Sequence, residues 1–465
     1  MNRRTPTPKS NVKDPTSSVK RLGELVNPHA AGIDIGGTFH VVAVPAGAGG
    51  DGEDVRTFGA FTADLLELSG WLHRCGVTTV AMESTGVYWI PLYDLLEEQG
   101  FEVLLVDARQ IKRSPARKTD VLDCQLLQYL HSLGMLGGAF RPNEAVCALR
   151  SFSRQRDMLI TTKSEHIQRI QKAMTQMNIK LQHVISETMG KTGEAIIRAI
   201  VGGERDPQRL AALRDRRCQE SLDTIAKALQ GTWREEHLFA LRQALELYDF
   251  HQRLIVECDE AIERHLRCFP VDGLADAPPA PRTRHRRRNE MSFDLHDHLI
   301  RMTGVDLTRI EGIGTLTALT VVSEIGVDME RWPTDKQFSS WLAVCPGAAT
   351  SGGRVLSSAT KPGANRAANA LRIAAQSLSR SDSALGHFLR RKAGGHLGMP
   401  GAITATAHKL AQRVYAMLKH GTEYVVQGQQ DYERAHREQQ LRTLQRRAKQ
   451  LGHDLVPLVP QVEAP

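Results

Sequence analysis

Five short apolar segments within residues 30–107 constrain the fold of this chain most strongly. The first three read AAGIDIGG, FHVVAV and VRTFGAF and follow one another closely, a pattern typical of antiparallel strands. The last two read VTTVAMES and FEVLLVD. They alternate with helical segments at about residues 62–75 and 88–99, and another helix begins near Asp120. Three strands followed by alternating helices and strands predict a mixed α/β sheet.

Beyond Arg141 the sequence predicts helices and no further strands. Apolar residues recur every seven positions along two seams of one long predicted helix, at Ile160, Ile167, Met174 and Leu181 and at Ile170, Met177 and Val184. Such a pattern is typical of a coiled-coil helix that buries its stripe against a partner helix. Lys163 interrupts one seam, so packing within a single chain remains open.

Composition shifts divide the chain into six predicted segments. We expect a disordered basic tail, an α/β domain, a helical coiled-coil arm that mediates oligomerisation, a Pro- and Arg-rich linker, a helical C-terminal domain, and a charged helix with a tail. These span residues 1–29, 30–140, 141–269, 270–292, 293–425 and 426–465.

The formal net charge of +8 is concentrated in two of these segments. Residues 1–22 contain six Lys or Arg and one Asp, and RTRHRRR at 282–288 contains five Arg, among them Arg286, Arg287 and Arg288. Such basic segments most often contact nucleic acid, although a solubilising tail is the alternative.

Cysteine usage and hydropathy indicate the compartment. The seven cysteines are scattered without a CxxC pair, which is typical of a reducing cytosol rather than of a zinc module or a disulfide framework. The chain lacks an apolar run of about 18 residues, the length that a membrane span requires. We expect a cytoplasmic protein, and the family resemblance described below implies one that is bacterial and nucleoid-associated.

Four acidic residues occupy positions that this topology would bring together. Asp34 lies at the end of the first strand and Glu83 at the end of the fourth, and these ends are neighbours in the predicted sheet. In RKTDVLDCQLLQ (117–128), Asp120 and Asp123 stand three residues apart at a helix start, where they share one helical face. Taken alone, that stretch also fits a solvated helix start.

Four converging carboxylates repel one another unless cations lie between them. Oxygen ligands suit hard divalent ions such as Mg²⁺ or Mn²⁺, and two such ions can clamp the attacking and leaving oxygens of a phosphodiester. We therefore predict metal ligands at these four acids. Four neighbouring cations would hold the phosphate backbone: Lys112, Arg113, Arg117 and Lys118.

Two glycine-rich stretches mark the C-terminal domain. In RIEGIGTLTALTVVSEIG (309–326), Gly312 and Gly314 would form the tip of a helix-hairpin-helix-like motif that approaches a DNA phosphate, or else a plain turn between helices. Further on, Ser351 precedes Gly352 and Gly353. A small hydroxyl there can approach a phosphodiester, although Ser and Gly also favour ordinary turns. The cations expected to aid it are Arg354, Lys361 and Arg366, and the reserve nucleophiles are Ser357 and Ser358.

The order Asp34, Glu83, Asp120, Asp123, with the spellings GIDIG, ESTG and KTDxxDxxxL, resembles the RuvC-like DEDD domain of the insertion-sequence transposases of the IS-one-ten (IS110) family. That family is related to the Piv-type DNA invertases, and longer spellings resemble its IS-eleven-eleven branch. The resemblance runs from about residue 30 to 425. It implies an RNase H-like fold for the first domain and a C-terminal serine transposase domain.

The resemblance also implies an activity and partners. Ser351 matches the family's catalytic serine, which implies a DNA transposase or site-specific recombinase that cuts and rejoins strands through a phosphoserine. It implies a bridge-type guide RNA encoded by the element, donor and target DNA, and a dimer or tetramer. Asn365, Arg366 and Arg372 fall in the family's GNxxxR-like region, but PGANR places Asn and Arg one residue late, which leaves their roles open.

No histidine lies in the Ser351 loop, and His387 and His408 lie on other predicted segments. The hypothesis is therefore that the serine of one subunit is activated at the acids of another.

Three rival interpretations compete with this reading. A junction-type metal nuclease would hydrolyse DNA with water and need no serine, and a non-catalytic nucleic-acid-binding protein would need neither serine nor metal. GIDIGGT also begins the phosphate hairpin of actin-like sugar kinases, but the chain lacks the second glycine-rich phosphate loop that such a kinase requires.

Overall fold

The computed structural model describes residues 25–50, 52–84, 86–107, 119–269, 289–347, 349–357, 359–361, 363, 365–395 and 397–455. The chain forms two compact units, Met1–Arg141 and Pro142–Pro465. Several residues predicted to bind nucleic acid or to serve as a reserve nucleophile lie outside the described residues: Lys112, Arg113, Arg117, Lys118, Arg286, Arg287, Arg288 and Ser358.

The first unit is a five-stranded mixed sheet, as the sequence predicts. Its strands are β1 (Ala30–Ile35), β2 (Phe39–Ala43), β3 (Val55–Gly59), β4 (Thr79–Glu83) and β5 (Glu102–Val106). The spatial order is β3-β2-β1-β4-β5. Strands β1, β2 and β3 pair antiparallel, whereas β1 pairs parallel with β4, and β4 with β5. This mixed α/β arrangement agrees with an RNase H-like fold.

Helices cover both faces of this sheet. They are α1 (Thr62–Arg74), α2 (Trp89–Glu98) and α3 (Asp120–Ser132). On one face, Leu68 and Leu72 of α1 and Leu92 and Leu96 of α2 pack on alternate strand residues such as Ile33. On the other face, Cys124 of α3 packs against Val41 and Ala43, and Leu127 packs against Ala81 and Val106. Both faces are therefore buried, as the apolar strands predict.

Helix α3 lies directly on strand β1 at Gly32. A Cβ atom added there would stand 2.3 Å from the backbone nitrogen of Gln128 and 2.4 Å from the carbonyl oxygen of Cys124. Gln128 Nε2 donates to Ala30 O over 3.2 Å, and His131 Nε2 lies 2.9 Å from Thr79 Oγ1. The C-terminal end of α3 thus lies at the start of β1 and β4, so α3 runs antiparallel to both strands.

The second unit begins with a long antiparallel helix pair. Helix α4 (Glu144–Gln176) packs along α8 (Glu235–Leu266), with His265 Nε2 2.7 Å from Ala145 O at one end and Lys163 Nζ donating to Gln252 Oε1 over 2.9 Å further along. At the far end, three shorter helices complete a common apolar core with this pair. They are α5 (Lys191–Val201), α6 (Pro207–Ala212) and α7 (Leu222–Ala228).

The coiled-coil prediction is correct for the helix and wrong for its length. Helix α4 ends at Gln176 because Asn178 adopts a left-handed backbone with φ of 59°, which breaks a helix. Leu181 is buried in a 3₁₀ turn instead. Ile170 and Met174 are fully buried in the core that α4 shares with α8 of the same chain, so these seam positions are not available to a second subunit.

The remaining described segments are mainly helical. They comprise α9 (Leu295–Thr303), α10 (Thr315–Ile325), α11 (Asp335–Trp341), β6 (Ala349–Ser351), β7 (Arg354–Ser357), α12 (Arg366–Ser377), α13 (Ala384–Ala393), α14 (Gly398–His420) and α15 (Thr422–Gln450). The β6–β7 hairpin corrects the prediction that strands end at Arg141. Among the residues described, no helix combines the length and the apolar character that crossing a membrane would require.

Gly32→Ala tests the packing of α3 on the sheet. Its Cβ would meet backbone atoms that cannot rotate away, so we expect the first unit to lose about 1–3 kcal/mol of stability or more. Gly70→Ala in α1 is the control, because the nearest atom there is the flexible end of Arg74 at 3.5 Å. Urea denaturation measures both. Equal stability of the two variants would contradict this packing.

The buried His131 predicts a pH dependence. Burial lowers its pKa below the ordinary value of 6.5, and the charge of Glu102 opposes this in part. The unfolded chain therefore binds a proton that the folded chain resists, so stability falls as pH drops below about 6.5. Hydrogen exchange of β4 amides should show this loss. His131→Gln should weaken it, and His73→Gln, at an exposed histidine, should leave it intact.

Candidate active site

Asp34 and Glu83 are neighbours at the end of two paired strands. The last paired residues of β1 and β4 are Ile33 and Met82, so Asp34 and Glu83 follow at the next register position. Asp34 lies two residues beyond Gly32, and alternation places both side chains on the face that carries α3. Both residues are half-buried. The two carboxylates therefore face the same layer.

Helix α3 brings Asp120 and Asp123 to the same end of the sheet. Thr119 caps the helix by accepting from the backbone N–H of Leu122 over 3.3 Å. Since α3 runs antiparallel to β1 and β4, its first turn lies where those strands end. Asp120 is exposed and stands one turn before the buried Cys124, whereas Asp123 is half-buried.

The electrostatics of Cys124 report the proximity of two of these acids. Burial raises the pKa of the Cys124 thiol to about 12, and the negative charges of Asp34 and then Asp123 add to the effect. Asp34 from the sheet and Asp123 from the helix thus both act on one sulfur atom. The thiol stays protonated at neutral pH, so it behaves as a small apolar residue between the two elements.

The four acids share one end of the sheet without forming a closed cluster. Among the described residues, no group of three or more His, Cys, Asp or Glu side chains is close enough together to hold a metal ion. The donor chemistry nevertheless fits a hard divalent ion, because all four groups are carboxylates on three elements that end together. Ligation would require their side chains to turn towards one another.

Tyr88 is an additional residue at this end that the sequence analysis did not single out. It follows Glu83 by five residues, and its side chain is 56% exposed. A Cβ atom at Gly37, on the turn between β1 and β2, would lie 3.6 Å from its ring. An exposed aromatic ring can stack on a nucleobase. Only its exposure, which the sequence did not reveal, distinguishes it from a core aromatic.

Ser351 lies at the tip of the β6–β7 hairpin. It pairs with Arg354 across a two-residue turn, Gly352–Gly353, whose φ angles are 54° and 76°. Two consecutive positive φ angles favour glycine at both positions. All four residues are exposed. The hairpin therefore presents a hydroxyl opposite a cation, with bare backbone between them.

The base of this hairpin is held within the chain. Gly347 N donates to Ala359 O over 2.9 Å, and Pro346 bridges Thr360. Lys361, predicted to bind nucleic acid, is exposed just beyond.

Arg366 has intramolecular partners, which differs from its predicted role as a nucleic-acid contact. It forms an ion pair with Asp157 of α4, and its Nε lies 3.6 Å from Glu324 Oε1. The Glu324 carboxylate on α10 also binds Arg154 through two hydrogen bonds of 2.9 and 2.8 Å. Arg150 donates to the Glu324 carbonyl oxygen over 2.7 Å. One carboxylate thereby ties together α4, α10 and the first residue of α12.

The neighbouring residues of α12 are also structural. Asn365 caps the helix by accepting from Ala368 N over 3.2 Å, and Arg372 Nη2 donates to Ala343 O over 3.2 Å. These hydrogen bonds give Asn365 and Arg372 structural roles, which the sequence did not determine.

The two glycines before α10 differ in their surroundings. Gly312 has φ of 81°, and a Cβ there would stand 2.9 Å from Ala374 O of α12. Packing of α12 thus explains this glycine without a nucleic-acid contact. Gly314, the N-cap of α10, has no atom within 4 Å of its added Cβ position, so the helix N-terminus beside it remains accessible.

Two family models match the chain. A DEDD transposase model of IS110, described as "Transposase", matches residues 31–179 and includes all four predicted acids. A second model, described as "Transposase IS116/IS110/IS902 family", matches residues 306–390 and includes Ser351. No curated protein matches the chain.

Glu324→Gln tests the junction of the three helices. The Glu324 side chain is 8% exposed, and losing its charge leaves the arginine cluster without its main counter-ion. We expect a loss of about 2–3 kcal/mol, below the cost of breaking a fully buried pair, because Arg154 and Arg366 are 48% and 40% exposed. Urea denaturation followed by tryptophan fluorescence measures the change.

The control for this measurement is an exposed pair. Glu438→Gln removes the partner of Arg442, and these side chains are 57% and 80% exposed, so we expect a change below about 0.5 kcal/mol. If the two variants lose the same stability, the Glu324 junction contributes no more than a surface pair.

Proposed function

The chain belongs to the IS110 family of transposases and so acts on the DNA of a mobile element; from this premise we propose that it cuts and rejoins strands through a phosphoserine at Ser351. The observation that carries the proposal is the meeting of Asp34, Glu83 and the start of α3 at one end of the sheet. Carboxylates so grouped, on a chain with a separate exposed serine, fit divalent-metal phosphoryl transfer better than a plain binding surface.

We assign the divalent-ion site to Asp34, Glu83, Asp120 and Asp123. Mg²⁺ or Mn²⁺ bound there would neutralise charge on the phosphate and orient the reacting oxygens. Asp34 and Glu83 are fixed by the sheet register, whereas the exposed Asp120 is free to change rotamer as DNA enters. Tyr88 lies at the same end and would hold a nucleobase of the bound strand by stacking.

The chemistry at Ser351 balances in two steps. The Ser351 oxygen forms a bond to phosphorus, and the bond from phosphorus to the leaving strand's sugar oxygen breaks. The serine proton passes to a base, and the leaving oxygen takes up a proton. In the second step a sugar hydroxyl of the joining strand gives its proton to a base and bonds to phosphorus. The bond from phosphorus to the Ser351 oxygen breaks, and that oxygen takes up a proton. Arg354, across the turn from Ser351, supplies positive charge for the phosphate oxygens.

We further propose that the acids of one subunit act with the serine of another. The motivating observation is that no histidine lies in the Ser351 loop, so the proton acceptor must come from elsewhere. Since Ile170 and Met174 pack inside the chain, other surfaces would form the dimer or tetramer. A structured guide RNA would pair with donor and target DNA, and the basic segments 1–22 and 282–288 would contact its backbone.

Trapping a covalent adduct tests this mechanism. The wild-type protein with Mg²⁺, labelled element-end DNA and its guide RNA should yield protein-linked DNA that survives boiling in detergent. Ser351→Ala should abolish the adduct because it removes the attacking hydroxyl, and an adduct that persists would indicate the reserve nucleophiles Ser357 and Ser358. Ser357→Ala is the matched control, since Ser357 lies in the same hairpin and its Oγ accepts from Ala359 N over 3.2 Å. Asp34→Asn should reduce both cleavage and adduct by about a thousandfold or more.

Each alternative gives a distinct result. Cleavage that persists in Ser351→Ala without an adduct indicates a nuclease that uses water. A wild-type protein that binds DNA without cutting it, and whose Asp34→Asn and Glu83→Gln variants differ only in affinity, indicates a non-catalytic binding protein. Mixing Asp34→Ala with Ser351→Ala should restore strand exchange in mixed oligomers, and a lack of recovery would contradict the shared site.

A further inference from the structure

A stretch of forty residues near the C-terminus contains no acidic residue. Residues 383–422 hold six Lys or Arg and neither Asp nor Glu. They form the hairpin of α13 and α14, most of which lies beyond the residues that the second family model matches. Charges of one sign on two packed helices repel one another, and an anionic partner would offset that repulsion.

The cations of this hairpin converge on one aromatic ring. Arg391 and Lys392, in the last turn of α13, each place their charge 5.8 Å from the centre of the Phe388 ring. Lys409 Nζ, from α14, lies 4.9 Å from the same centre. Arg391 is exposed, and Phe388, Lys392 and Lys409 are half-buried. Three positively charged groups from two helices therefore lie within 5.8 Å of the centre of one ring.

The same groups repel one another. Burial lowers the pKa of Lys409, and the positive charges of Arg413, Arg391 and Lys392 lower it further. In contrast, Arg390 turns inward and donates to the carbonyl oxygens of Ser379 and Ser381 over 2.9 and 2.7 Å. Arg390 therefore contributes to the fold of α13 itself.

We propose that Arg391, Lys392 and Lys409 around Phe388 form a binding site for the phosphodiester backbone of a nucleic acid. Phosphates that lie between these side chains would relieve the repulsion, and the Phe388 ring would keep the cations at fixed positions. The site rests on the proposed function in that it serves a DNA transposase, but it adds a contact surface away from the acids and the serine. Its ligand chemistry is common to DNA and RNA.

The salt dependence of binding tests the site. Arg391→Gln/Lys392→Gln is compared with wild type for a duplex DNA and for a single-stranded RNA of equal length. Removing two phosphate contacts should flatten the slope of log affinity against log salt by about 1.8 for the duplex or about 1.4 for the single strand. Affinity at about 0.1 M salt should fall by at least about tenfold for the natural partner.

A matched control separates a local site from net charge. Lys336→Gln/Arg380→Gln removes two exposed cations from the same unit and should leave both slopes unchanged. The conservative variant Arg391→Lys, with Lys392 unchanged, should keep most of the wild-type slope, because any cation can contact a phosphate. Circular dichroism melts confirm that the variants fold.

Each outcome decides the proposal. A flatter slope for DNA alone, for RNA alone or for both supports the site and identifies its ligand. Unchanged slopes, or equal effects of the control pair, overturn it. Asp34→Asn distinguishes failure of the phosphate-binding site from failure of the proposed function, because this variant should abolish cleavage without altering either slope. If Asp34→Asn still cleaves DNA, the proposed function fails, and the slopes alone decide whether the phosphate-binding site exists.

Discussion

The contact between helix α3 and strand β1 is the constraint on which the first unit depends. With only hydrogen at Gly32, the helix backbone approaches the strand so closely that an added Cβ would stand 2.3 Å from the nitrogen of Gln128. Cys124 and Leu127 then fill the gaps on either side. The helix cannot slide without losing this fit, so the position of its first turn is fixed relative to the ends of β1 and β4. Burial of apolar surface thus determines the end of the sheet at which the four acids lie.

Much of this unit could be predicted from the sequence because its signals are local. Alternating or continuous apolar runs define the strands, and the order of elements leaves few topologies. Asp34 and Glu83 could be placed side by side since parallel strands that pair also end together. Contacts between segments that are distant in the sequence could not be predicted. Nothing in the spelling PGANR indicates that Arg366 binds Glu324 and Asp157, and Gly312 gives no hint of Ala374 until α12 is packed against it.

Two errors have specific physical causes. The heptad pattern continues through Leu181, but hydrophobic spacing reports burial rather than helix, and the left-handed Asn178 ends α4 while Leu181 still enters the core. The β6–β7 hairpin was missed because its strands have only three and four residues. Pairing across the Gly352–Gly353 turn stabilises them, and strand propensity does not. Strands this short contain too few alternating positions for hydrophobic periodicity to indicate them.

The second unit uses charge in two opposite ways. Around Glu324, arginines from α4 and α12 share one nearly buried carboxylate and join three helices. Around Phe388, cations gather on an aromatic ring within an acid-free hairpin.

The Ser351 turn has a consequence for how this protein can diverge. Ser351 and Arg354 form the last paired residues before a two-residue connection, so the length of this connection determines that the serine stands opposite the arginine. A single residue inserted between Gly352 and Gly353 would replace the two-residue turn by a three-residue loop, which has a different turn geometry. Insertions in the exposed end of α15 alter no strand pair, whereas an insertion at this tip changes the turn that connects Ser351 to Arg354.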